Sequence, residues 1–209
     1  CFMYFDEDLV LELRLNLLDK YVDYFVIVES KYNHKGEPKK LNFNIKNFKK
    51  FEKKIIYLVF DQEPSDLYKF EKKDTQADIS SKYIFNAGKR ENGQRNFISQ
   101  GLKDAKADDI IIISDVDEIP NLAGITFNTI KNEIIIFRHE MFYYKFNLKL
   151  PNYKWTGSKA CKMKNLKSPQ WLRNIKDKKF GFYRIDTFFS ETKYRNLLII
   201  DNGGWHYTN

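Results

Sequence analysis

Three carboxylates fall within four residues of one another, Asp115, Asp117 and Glu118, at the end of the run Asp109-Ile110-Ile111-Ile112-Ile113-Ser114-Asp115-Val116-Asp117-Glu118-Ile119-Pro120. Anions this close repel unless a cation joins them. A divalent metal is the economical cation, and a metal held by few protein oxygens commonly holds phosphate too. The isoleucine run is β-branched and short, so it reads as a strand buried on both faces, the kind found in parallel sheets. In open α/β sheets ligands sit beyond the carboxyl ends of the strands, where these acids fall.

An Asp-x-Asp at a strand end has three readings. The plainest is a pair of surface or capping acids before Pro120. The second is a phosphohydrolase of the haloacid dehalogenase type, with the first Asp as nucleophile, the second as acid/base, and Mg²⁺ as cofactor. That type places its motif near the chain start and follows it with a helix, whereas here 114 residues precede Asp115 and Pro120 follows closely. The third is a nucleotide-sugar transferase, in which a metal bridges the carboxylates and the donor diphosphate and stabilises charge on the leaving group. Neither GxxxxGK[ST] nor GxGxxG occurs, so no backbone loop would cradle a diphosphate. Metal and basic side chains, Arg90 and Arg95 among them, would have to neutralise it. A non-catalytic sugar-binding module with a relic metal site also fits.

The elements that must position these acids alternate at first. Val10, Leu13 and Leu17 with Leu11, Leu15 and Leu18 predict an amphipathic helix over 7–20, entered through Asp6, Glu7 and Asp8. Val22–Val28 predicts a strand ending at Glu29-Ser30, and Ile55–Phe60 a second. Residues 61–90 read as a polar excursion, and Glu91–Lys106 as a helix. Leu122–Asn132 predicts a short helix; Glu133–Arg138, Met141–Asn147 and Leu197–Ile200 predict strands. That order implies a single α/β domain.

The 209 residues carry a net charge of +8, which raises the local concentration of anionic ligands without choosing among them. Nucleotides, phosphates and an anionic membrane surface are all admitted; nothing in the pattern calls for nucleic acid. The two cysteines, Cys1 and Cys161, form no metal or disulfide pattern, which favours a reducing compartment. No apolar run reaches the roughly 20 residues that span a bilayer. The expected location is the cytoplasm, at the membrane face if associated there, or the Golgi lumen if this is part of a longer eukaryotic chain.

Four segments resemble glycosyltransferase family 17. CFMYFDEDLVLELRLNLL resembles that family's opening strand and helix, and VDYFVIVESKYNHKGEPKKLNF its first sheet strand and loop. IIIISDVDEIPN resembles its Asp-x-Asp segment, and DNGGWHY its Gly-Trp-His segment. The resemblance implies a GT-A fold, Rossmann-like with a mixed, mainly parallel central sheet flanked by helices. It implies a UDP-sugar donor (UDP-GlcNAc in the known cases), a glycan acceptor, Mn²⁺ or Mg²⁺, and inversion at the anomeric carbon. Carried over, Asp115 lies near the donor ribose and the metal, Asp117 is the direct metal ligand, and His206 is a second ligand from the chain end. Imidazole among carboxylates suits Mn²⁺ better than Mg²⁺. Glu29 lies near the nucleoside and Arg95 faces the donor. Inversion requires a base; Glu118, Glu140 and Asp186 are the candidates, with Glu118 preferred and an anchoring role as its alternative.

Overall fold

Alternating side chains sort the strands of this protein between two apolar layers. In β2 (Phe25–Ser30), Phe25 and Ile27 pack with Leu11, Leu15 and Leu18 of α1 (Asp8–Leu18), while Val26 and Val28 pack with Ile98 and Leu102. In β6 (Ile134–Tyr143), Ile135 and Phe137 join the first layer, and Ile134 and Ile136 the second. A period of two with both faces apolar is what a sheet covered on each side requires. The computed structural model describes residues 1–178, 181, 183–184, 189–193 and 196–208.

The strands form two sheets. β1 (Phe2–Tyr4), β2 and β3 (Ile55–Phe60) pair in parallel in that order. The second sheet runs β4-β7-β6-β8-β5, built from β4 (Ile110–Ile113), β5 (Glu118–Pro120), β6, β7 (Lys149–Lys162) and β8 (Leu197–Thr208). The backbone of Cys1 joins them: its nitrogen donates to Ile112 O at 2.8 Å, and its carbonyl accepts from Ser114 N at 3.3 Å. Helix α2 (Gln76–Phe97) opens with a reciprocal cap between Thr75 and Asp78 and runs on into a 3₁₀ segment, Ile98–Leu102. A short helix, α3 (Pro169–Asn174), is capped by Ser168.

Several expectations need correction. The fold is mixed α/β, but the sheet is not mainly parallel: β4–β7, β6–β7 and β5–β8 are antiparallel, and in the second sheet only β6–β8 is parallel. The physical reason is the short connection Tyr144–Leu148, which returns the chain beside itself and so enforces antiparallel pairing. The polar excursion is half helix, since α2 begins at Gln76. Leu122–Asn132 forms only a 3₁₀ turn, Phe127–Thr129. The two strands expected over 133–147 are one strand, β6, and the 14-residue β7 had no counterpart in the sequence reading.

Candidate active site

The acidic turn between β4 and β5 is held by three arginines from three elements, Arg14 and Arg95 buried and Arg173 partly so. Arg14 of α1 grips its backbone, donating to Asp115 O (3.0 Å), Val116 O (3.3 Å) and Glu118 O (2.7 Å), and through Nη2 to Ser114 Oγ. Burial lowers the Arg14 pKa to about 10, and Glu118, Asp117 and Asp115 oppose that shift, so it stays cationic near neutrality. Arg95, at the end of α2, places Nη2 3.1 Å from Asp115 Oδ1 and 2.7 Å from Glu91 Oε1. Arg173 of α3 places Nη2 2.6 Å from both Asp115 Oδ2 and Glu118 Oε1, and Nη1 2.6 Å from Gly157 O. Burial works to lower the Arg173 pKa, but Glu118 and Asp115 outweigh it and the net shift is upward.

Lysine 159 sets the aim of Arg173. Its ammonium group is buried and donates to the carbonyls of Arg173 and Ile175, closing the C-terminal end of α3 where positive charge is favoured. Burial, then the neighbouring Arg173, pushes its pKa down to about 8.

The three carboxylates thus have different surroundings. Asp115 has one oxygen on Arg95 and the other on Arg173. Glu118 is 1% exposed, with Oε1 accepting from Arg173 and from Trp155 Nε1 at 2.6 Å, and Oε2 accepting from Asp115 N at 2.9 Å. Asp117 has no arginine partner in this cluster. Its side chain is 28% exposed, and Oδ2 lies 3.2 Å from His206 Nε2. Both line, with Asp115 and Glu118, a cavity of about 350 Å³ whose walls include Tyr32, Lys39, Arg90 and Trp155.

Two glycines bring His206 there. Gly204 has φ +146°, and a Cβ on it would meet Ile119 O at 2.2 Å; a Cβ on Gly203 would meet Ile200 O at 2.7 Å. Without side chains, β8 presses against β5 and β6, so Gly204 pairs with Pro120 and His206 with Glu118. Tyr207 N then donates to Asp117 O at 3.0 Å, and the Trp155 ring lies 5.0 Å from the imidazole.

A sequence model of glycosyltransferase family 17 matches residues 2–170, most of the chain. The chain belongs to glycosyltransferase family 17. Two relatives are the beta-1,4-mannosyl-glycoprotein 4-beta-N-acetylglucosaminyltransferases of Mus musculus and Homo sapiens, each 26% identical over 216 residues. The alignments cover 94% of this chain but 37% of each relative, so the chain spans a little over a third of their length. No solved structure matches it.

Within this family 17 chain the structure brings Asp115, Asp117, Glu118 and His206 together and turns other expected residues elsewhere. Glu29 does not reach the cavity. It is fully buried and accepts from Lys39 Nζ, Asn42 N, Phe43 N and Tyr57 OH, which ties loop 39–43 to the sheet. Burial would raise its pKa, yet those donors hold it below the usual value. Arg95 is buried behind Asp115 rather than facing the cavity. Arg90 does line the cavity, but its fork is closed on Glu63 at 2.8 and 3.0 Å. Glu140 pairs with Lys149 and Lys154, and Asp186 lies outside the described residues. His139 is fully buried with neither ring nitrogen hydrogen-bonded among the described residues. Arg14 and Arg173 escaped sequence reading because a lone arginine in an amphipathic segment carries no signal of its partner.

The donor set for a metal is correspondingly small. Among the described residues no three His, Cys, Asp or Glu side chains converge as ligands. Asp117 and His206 form a pair that fits a cation drawing its other ligands from diphosphate oxygens and water. Asp115 lines the same cavity with one arginine on each of its oxygens.

Proposed function

We propose that this chain is a metal-dependent, inverting glycosyltransferase that moves a sugar from a nucleoside diphosphate onto a glycan acceptor. The named relatives and the family resemblance favour N-acetylglucosamine from UDP. The observation that carries the reading is the unequal treatment of the paired aspartates, both of which line the cavity: Asp115 has each oxygen on an arginine, while Asp117 has none and faces His206. The pairing order supports a GT-A architecture, because Cys1 links β1 to β4 and so strings the strands as β3-β2-β1-β4-β7-β6-β8-β5.

Asp117 and His206 would hold Mn²⁺ or Mg²⁺. The cation would supply Lewis acidity to the departing nucleoside diphosphate. Lys39 and Arg90 stand at the wall as supplementary positive charge, and the cavity volume lies in the usual range for small-ligand sites. Arg14, Arg95 and Arg173 keep the turn from collapsing or flaring when ligand charge arrives, so the site is preorganised. Glu118 serves here as a brace: it is 1% exposed and its two oxygens already accept three hydrogen bonds, which leaves at most one lone pair for an acceptor hydroxyl. The dehalogenase-type reading would need Asp115 as a free nucleophile, and two guanidinium groups occupy it.

Thermal shift with UDP, with and without Mn²⁺, tests the reading. Ligand that binds the folded state raises the melting temperature. UDP with Mn²⁺ should raise it more than either alone. A shift with phosphate analogues and Mg²⁺, and none with UDP and Mn²⁺, would remove the transferase reading.

A further inference from the structure

The turn joining β6 to β7 carries a run of large, exposed apolar and aromatic side chains. Tyr143, Tyr144, Phe146, Leu148, Leu150 and Tyr153 are each at least 40% exposed, and Tyr144 reaches 71%. Tyr144 also holds φ at +61°, a conformation that aromatic residues seldom adopt. The base of the hairpin is firm: Phe142 and Phe146 pack on Tyr207 with centroids 5.3 and 4.9 Å apart, and Tyr144 N donates to Thr208 O at 3.1 Å. The tip is therefore an apolar surface on a fixed support.

Its charge is one-sided. From Met141 to Trp155 the hairpin has three lysines and no acidic residue. Within the hairpin, Lys149 and Lys154 share the single carboxylate of Glu140, and Lys145 makes no ion pair among the described residues. Exposed tyrosines flanked by lysines whose stems can lie along apolar surface are the side chains that settle at a lipid–water boundary. Clustered lysines add attraction to anionic headgroups.

We propose that the hairpin tip, Tyr143–Tyr153, docks this protein onto an anionic lipid surface. A glycan is the poorer match, since Leu148 and Leu150 offer nothing to hydroxyl groups and the tip side chains stand open to solvent instead of lining a cavity. No helix among the described residues is long and apolar enough to cross a membrane. The inference stands apart from the transferase reading.

Flotation with phosphatidylcholine vesicles, with and without phosphatidylglycerol, tests it. The protein should float with the anionic vesicles alone and be released by salt. Lys145→Glu should lower the vesicle partition constant by about fivefold or more, the order expected for one lysine at an anionic surface. Tyr144→Asn combined with Leu148→Ser should abolish flotation while leaving the melting temperature and the UDP–Mn²⁺ shift unchanged. Asn is chosen because it tolerates positive φ. Failure to float, or flotation undiminished in both variants, overturns the proposal. So does concentration-dependent dimerisation that the double variant abolishes, which makes the tip a self-interface. A raised KM for a soluble glycan in that variant, with flotation intact, assigns the tip to the acceptor instead.

Discussion

His206 Nε2 lies 3.2 Å from Asp117 Oδ2 although 89 residues of chain separate them. The contact is double, because the neighbouring Tyr207 N also donates to the Asp117 carbonyl. The last strand is fastened to the acidic turn by main chain and side chain alike, and the imidazole is delivered to the one aspartate of the pair that the arginines leave alone.

Asp117→Ala should remove the Mn²⁺-dependent part of the UDP thermal shift. The side chain is part-exposed and packs into no core, so unliganded stability should change by no more than about 0.5 kcal/mol. Calorimetric titration of UDP with and without Mn²⁺ checks this. Retained metal-dependent affinity would take Asp117 out of the site.

Arg173→Ala should cost about 3–5 kcal/mol, because it strands the buried Glu118 carboxylate beside Asp115. Adding Glu118→Gln should recover part of that loss. Urea denaturation reads both variants. A loss of only about 0–1 kcal/mol, as for an exposed ion pair, would mean that water reaches Glu118.

Gly204→Ala should destabilise by about 1–3 kcal/mol through its positive φ and its contact with Ile119 O, and should weaken UDP–Mn²⁺ binding by moving His206. Gly88→Ala is the matched control. It lies within α2 with nothing inside 4 Å of the added Cβ, and should stabilise by about 0.5–1 kcal/mol without touching affinity. Equal effects at the two positions would refute the close-approach argument.

How much of this was legible depends on whether burial followed polarity. β3 and β4 were readable because their apolar runs fall in or against the core, and Ile55–Phe60 matches its strand residue for residue. The first half of α2 was hidden because it inverts the rule: Ile84 and Phe85 face solvent while Asn86 is buried. β6 looked like two strands because His139 and Glu140 interrupt the apolar pattern, yet His139 is fully buried. Asp115, Asp117 and His206 were nameable as a set only through the family resemblance. The arginines that divide the roles of the two aspartates were not, since their partners lie 20 to 104 residues away.

Stability should fall with acid beginning at the His139 imidazole. Burial, with His206, Arg14 and Arg173 nearby, pushes its pKa from 6.5 down to about 3. Below pH 6.5 the unfolded chain takes up a proton that the folded chain refuses. The contribution is therefore intact above 6.5 and declines as pH falls toward 3. Glu29, whose pKa is lowered, adds its own loss only below its ordinary value of 4.5. His139→Leu should flatten the slope of melting temperature between 6.5 and 4.5; an unchanged slope would place the acid sensitivity elsewhere.

The grip of Arg14 on the acidic turn bears on the order in which the chain can fold. The oxygens that receive this guanidinium belong to residues 100 to 104 positions downstream. A segment comprising only β1, α1, β2 and β3 would hold a cation in its interior with no acceptor. That segment cannot settle early as an autonomous unit, because its first helix is finished only when the acidic turn arrives. Non-local closure of this kind slows folding, and it makes the first helix and the acidic turn rise and fall together: the chain has no way to be half native and still carry its site.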